Sequence, residues 1–133
     1  MPPFSFNIFK KTKILIVEDD NALRKVLCDK FRMDGFSILE APTGQEALGE
    51  ALTKHPDLIL LDLMLPGMDG ISVLEELRKD AWGSRVKVVV MTNLKKGESL
   101  GAQTEKYKVA SFIEKADISL DDITTKIRNI LKN

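Results

Sequence analysis

Leu58-Ile59-Leu60-Leu61-Asp62-Leu63-Met64-Leu65-Pro66-Gly67-Met68-Asp69-Gly70 is the stretch on which the fold turns. Four apolar residues in a row, between Pro56 and the Pro66-Gly67 pair, read as a buried strand. Asp62 then stands at the C-terminal lip of that strand, where open α/β sheets place their chemistry. An earlier apolar run, Ile14-Leu15-Ile16-Val17, closes on Glu18-Asp19-Asp20. If the two runs are neighbouring parallel strands, several carboxylates converge at one sheet edge. Such carboxylates repel one another unless they share a proton or a cation. A hard divalent ion such as Mg2+, which takes oxygen ligands and keeps some waters, is the natural resident.

Outward from this stretch, short β-branched runs alternate with amphipathic segments, the pattern of βαβ units around a parallel sheet. Strands are expected at Lys13–Val17, Ser37–Glu40, Leu58–Leu61, Val86–Met91 and Ser111–Glu114. A helix over Asn21–Met33 turns Leu23, Val26, Leu27 and Phe31 to one side and stops at Gly35. Thr43-Gly44-Gln45-Glu46 reads as a capping box for a second helix carrying Ala47, Leu48, Ala51 and Leu52 inward. Asp69 caps a third, with Ile71, Val73, Leu74 and Leu77 inward, fading at Trp82-Gly83. Gly97 and Gly101 interrupt the helical pattern of Leu94–Lys108 and make it the weakest-held segment. Ser119 caps the last helix, with Ile123, Ile127, Ile130 and Leu131 facing the sheet. Residues 1–11 read as an N-terminal leader with three phenylalanines, and 12–133 as one domain that leaves no room for a second.

The 133 residues are 44% apolar and 30% charged, ordinary for a globular protein. Twenty basic and twenty acidic side chains cancel, so no global field recruits DNA or anionic lipid. Neither direct DNA binding nor membrane binding is expected, since no apolar run approaches bilayer-spanning length. The single cysteine, Cys28, forbids an internal disulfide and fits a reducing, cytoplasmic setting. It reads as buried filler in the first helix, and His55 as a surface residue at a helix end.

The residues at the strand ends form a set: Glu18, Asp19 and Asp20, then Asp62, Thr92 and Lys115. With the runs Ile-Leu-Ile-Val-Glu-Asp-Asp, Asp-Leu-Met-Leu-Pro-Gly-Met-Asp-Gly and Phe-Ile-Glu-Lys, this set resembles the receiver domain of two-component response regulators over roughly Lys13–Leu131. The resemblance implies a flavodoxin-like, doubly wound α/β fold: a five-stranded parallel sheet in the order 2-1-3-4-5, with five flanking helices. It implies a stand-alone phosphorelay receiver that is no turnover enzyme, promoting only its own phosphorylation and dephosphorylation. Asp62 would accept a phosphoryl group from a sensor histidine kinase or phosphotransfer protein. Glu18, Asp19, Asp62 and the backbone carbonyl of Met64 would hold Mg2+. Lys115 would supply a cation, and Thr92 and Phe112 would switch packing to signal to a downstream protein target. Asp20 reads better as the cap of the first helix than as a direct ligand.

Departures from the family pattern gather after Thr92. Ala116 replaces the usual proline after the lysine, so a trans peptide and an altered lysine loop are expected. Asn93 replaces a small residue, and Val109-Ala110 the usual Gly-Ala. A pseudo-receiver that never takes phosphate is the alternative reading, opposed by the intact acidic, threonine and lysine set. An aspartyl-phosphate phosphatase would need a second carboxylate two residues after Asp62, where Met64 stands.

Overall fold

The computed structural model describes residues 11–94 and 99–132. The expectations for the leader's phenylalanines and for Gly97 lie outside the described residues. Five parallel strands, β1 (Lys13–Val17), β2 (Ser37–Ala41), β3 (Leu58–Leu61), β4 (Lys87–Thr92) and β5 (Ser111–Glu114), form one sheet in the order β2-β1-β3-β4-β5. Helices α1 (Asn21–Met33), α2 (Gly44–Lys54), α3 (Gly70–Lys79), α4 (Ser99–Ala102) and α5 (Leu120–Lys132) connect and follow the strands, as the doubly wound reading requires.

Side chains alternate across the strands with period two. Leu15, Val17, Ile59, Leu61, Val88 and Val90 face α2 and α3, while Ile14, Ile16, Leu58, Leu60, Val89 and Met91 pack with Leu27, Phe31, Ile123 and Ile127 of α1 and α5. Fully burying one such aliphatic or aromatic side chain stabilises by about 1.5–3 kcal/mol. The strands are therefore committed on both faces, which pins their register. Cys28 is buried, and burial pushes its thiol above the ordinary value, so it behaves as filler.

Three side-chain caps start helices where the sequence places them. Leu23 N–H donates to Asp20 Oδ1, Glu46 N–H to Thr43 Oγ1 and Ser72 N–H to Asp69 Oδ1. Ser119 likewise accepts from Asp122 N–H. His55 is exposed in the left-handed region at φ 47° and stacks on Trp82 with centroids 4.4 Å apart.

Several boundaries differ from expectation, β2 and β4 each running one residue further, to Ala41 and Thr92. Helix α3 ends at Lys79 instead of fading at Trp82-Gly83, because Asp80 turns extended and its carboxylate accepts from Gly83 N–H at 2.7 Å. Strand β4 starts at Lys87 because the Val86 carbonyl is taken by Arg78. Part of Leu94–Lys108 lies in residues 95–98; the rest is the short α4 and a 3-10 turn, Gln103–Tyr107, ending at left-handed Lys108.

Gly70 lets the start of α3 approach the loop after β3. A Cβ there would lie 2.6 Å from Leu63 Cα and 2.7 Å from the Asp62 carbonyl oxygen, both backbone atoms. Gly49, inside α2, has nothing within 4 Å of such a Cβ. Gly70→Ala should therefore destabilise the domain by about 1–3 kcal/mol through overpacking. Gly49→Ala should stabilise it by about 0.5–1 kcal/mol through helix propensity. Urea unfolding of the two variants checks the opposite signs, and equal effects would refute the close-approach argument.

Candidate phosphoacceptor site

The register brings the acidic ends together. Val17 pairs with Ala41 on one side and Leu61 on the other, and the ladder continues as Glu18 N–H to Ala41 O and Asp62 N–H to Val17 O, both 3.1 Å. One oxygen from each of Glu18, Asp19 and Asp62 then lies within 4.8 Å of the others. Glu18 is 2% exposed and Asp62 5%, while Asp19 faces solvent.

Lys115, just past β5, reaches across the end of β4 to both buried carboxylates. Its Nζ donates to Asp62 Oδ2 at 2.8 Å and stands 2.7 Å from Glu18 Oε1. The second contact is an ion pair whose geometry leaves Glu18 Oε1 buried and without a hydrogen bond. Glu18 Oε2 accepts from Asp20 N–H, and Asp62 Oδ1 from Met64 N–H at 3.0 Å. Burial pushes the Glu18 carboxyl above its ordinary value; Asp62 adds to this, and Lys115 and the Asp20 N–H oppose it. Burial acts to lower the Lys115 pKa, but the bonds to Asp62 and Glu18 outweigh it and raise it.

The other expected residues lie at the same edge. Thr92 ends β4 fully buried, in register with Glu114, and its Oγ1 accepts from Leu94 N–H at 3.5 Å, the outer limit of a hydrogen bond. Phe112 on β5 pairs with Val90 and is half-buried against the α2–α3 side of the sheet. Met64 is 54% exposed beside Asp62. Asp20 caps α1. After Lys115, the Ala116 segment is a 3-10 turn, and no cis peptide occurs among the described residues.

Three carboxylates offer hard oxygen donors within 4.8 Å of one another, and the buried Glu18 Oε1 has the Lys115 ion pair but no hydrogen bond, so the residues fit Mg2+. One participant escaped the sequence reading. Arg24 of α1, with a side chain 15% exposed, donates to the Glu18 carbonyl oxygen at 2.8 Å, to Glu40 at 3.0 Å and to Asn21 at 2.7 Å. An arginine next to inward-facing Leu23 carries no signal of this, since its partner Glu40 comes from β2.

This edge, on this sheet, is that of a receiver, and the chain belongs to the response regulator receiver domain family, which it matches over residues 14–128. It is 33% identical over 129 residues to the probable transcriptional regulator ycf27 of Porphyridium aerugineum, covering 92% of this chain and 49% of that one. It is 31% identical over 119 residues to sporulation initiation phosphotransferase F of Bacillus subtilis (strain 168), covering 90% and 93%. A CheY-like response regulator receiver domain from Methanospirillum hungatei JF-1 superposes with a TM-score of 0.81 at 26% identity, covering 92% and 95%. The chain spans about half the length of the ycf27 regulators that it matches. Those relatives are named as transcriptional regulators, so the expectation of no DNA binding gains no support from them. No helix among the described residues is long and apolar enough to cross a membrane.

Lys115→Met should leave Glu18 and Asp62 facing each other without a counter-ion. At neutral pH the loss should be about 2–3 kcal/mol, below the 3–5 of a fully buried pair because the lysine is partly solvated. Glu18, already raised when folded, favours the fold in its protonated form. The variant should therefore regain stability as pH falls from 7 toward the ordinary carboxylate range. Thermal unfolding against pH reads this, and a flat profile over that range would contradict the shared-cation account.

Proposed function

We propose that this chain is a phosphorylatable, stand-alone receiver: Asp62 takes a phosphoryl group from a phosphohistidine on a sensor histidine kinase or phosphotransfer protein. The observation that carries this reading is Lys115 bonded to Asp62 beside two further carboxylates at the end of β1. An Asp62 oxygen attacks phosphorus, the P–N bond breaks, and the leaving imidazole takes a proton, giving an acyl phosphate. Glu18, Asp19, Asp62 and the Met64 carbonyl would hold Mg2+, which supplies charge neutralisation for the transferred group. Lys115 pairs with the phosphoryl oxygens once the Asp62 charge is spent. The Thr92 hydroxyl, held among the described residues only by a 3.5 Å contact, donates to one of them. Signalling then follows from repacking of Thr92 and Phe112 and docking on a downstream protein in the cytoplasm, without turnover of a substrate and without direct contact of this domain to DNA. The likeness to a phosphotransferase matched over 93% of its length supports a receiver that acts without a further domain.

Incubation with Mg2+ and a small phosphodonor, followed by intact mass, should add one phosphate to wild type and none to Asp62→Asn. The variant should stay folded, because the change is isosteric and removes one of two facing carboxylates. No phosphate on wild type would favour the pseudo-receiver, and repeated turnover a phosphatase.

The phosphoryl group should also leave slowly. Water must attack in line with the Asp62 oxygen and needs a polar neighbour to orient it. Exposed Met64 and half-buried Leu94 flank the ends of β3 and β4 and offer none. Met64→Asn or Leu94→Glu should accelerate loss of phosphate in the presence of Mg2+. Unchanged lifetimes in both would mean that another feature sets the rate.

A further inference from the structure

We propose that Arg24 is a positioning residue for the metal-binding carboxylates, acting through the peptide that joins Glu18 to Asp19. The inference rests on the Mg2+ reading above and names the group that keeps the site in shape.

Of the three carboxylates, two are steered by their own side-chain contacts. Glu18 is held by Asp20 N–H and Lys115, and Asp62 by Met64 N–H and Lys115. Asp19 differs: among the described residues its carboxylate has no hydrogen bond or ion pair, and it faces solvent. Only its backbone aims it at the other two. The N-terminal side of that backbone is the Glu18–Asp19 peptide, whose carbonyl oxygen accepts from Arg24 Nη1 at 2.8 Å. On the C-terminal side, Asp20 is fixed as the cap of α1.

The guanidinium is itself over-determined. Nε bonds Glu40 at the end of β2, and Nη2 bonds Asn21 on the first turn of α1. A planar fork with three anchored nitrogens holds its direction far better than a lysine ammonium. The clamp therefore ties the β1–α1 turn to β2 on one side and to α1 on the other. Outer groups that orient a metal ligand typically matter about 10–100-fold in affinity.

Electrostatics alone predicts the opposite sign, which makes the idea testable. A cation beside a cation site repels the incoming ion, so an Arg24 acting by charge would weaken Mg2+ binding, and its removal would strengthen it. A positioning Arg24 does the reverse. Arg24→Met keeps helix propensity and the apolar stem while removing the fork.

Titration of the full chain with Mg2+ by calorimetry, without phosphodonor, measures the effect directly. Thermal midpoints without metal separate it from a loss of fold. Arg24→Met should bind Mg2+ about tenfold more weakly than wild type, the low end of the outer-shell range. Arg24→Lys, which retains one donor for the Glu18 carbonyl, should recover part of the loss. Equal or tighter binding by a folded Arg24→Met would overturn the proposal. If Arg24→Met does not fold, Asn21→Ala releases one anchor of the fork without changing charge; a weaker Mg2+ affinity in it supports the clamp, and an unchanged one overturns it. Wild type that binds no Mg2+ would instead sink the metal reading itself, an outcome distinct from both.

Discussion

Two buried carboxylates within a few ångströms of each other form the constraint around which this domain is arranged. Glu18 and Asp62 come together because β1 and β3 pair in parallel with Val17 beside Leu61, and neither is free to turn into solvent. Their repulsion demands a cation, and in this structure the Lys115 ammonium serves both. It comes from the far side of β4, so the sheet order decides whether the cation can reach them. A strand order that separated β1 from β3, or put β5 elsewhere, would leave an uncompensated buried charge and a cost of several kcal/mol.

The remaining elements hold this arrangement still. Asp20 and Asp69 start the helices that leave the two acidic loops, so the exit direction of each loop is fixed. Gly70 allows α3 to begin against the Asp62 peptide, with Gly70 N–H donating to the Leu63 carbonyl at 2.8 Å. On the distant side, the Arg78 guanidinium donates to the carbonyls of Tyr107, Gly83 and Val86, joining the end of α3 to the approaches of β4 and β5. Burial lowers its pKa, yet arginine remains charged, so the carbonyl dipoles take the place of a carboxylate partner.

What was legible in the sequence is what short-range pattern encodes. The apolar runs, the acidic residues that close them and the capping side chains all lie within a few residues of one another, and Asp62, Glu18 and Asp20 were found that way. Lys115 and Thr92 stand at strand ends, but their roles come only through the resemblance, since a lysine or threonine there has no distinctive local signature. The early end of α3 was missed because it depends on an Asp80–Gly83 turn. That turn requires a glycine: a Cβ at Gly83 would lie 2.2 Å from the Leu77 carbonyl oxygen. The shift of β4 by one residue was missed because Arg78 claims the Val86 carbonyl from another element. Arg24 escaped for the same reason. Long-range bonds from arginine to backbone leave no periodicity to read.

Anchoring is uneven across the sheet edge, and this bears on how a charge placed on Asp62 is felt. On the β1–β3 side, the acidic turn is held by the Asp20 cap, the Arg24 fork and two ladder bonds. On the β4–β5 side, the Thr92 hydroxyl has, among the described residues, only its 3.5 Å contact with Leu94 N–H, and Phe112 is half-buried. A perturbation is absorbed where restoring forces are weakest, so under the proposed phosphorylation a new anion at Asp62 would displace Thr92 and Phe112 before it disturbed Glu18 or Asp19. It would shift that equilibrium only by as much as its interaction with Thr92 and Lys115 differed between two packings. The stiff side would then preserve the chemistry while the soft side carried the response, with the boundary between them along β3 and β4.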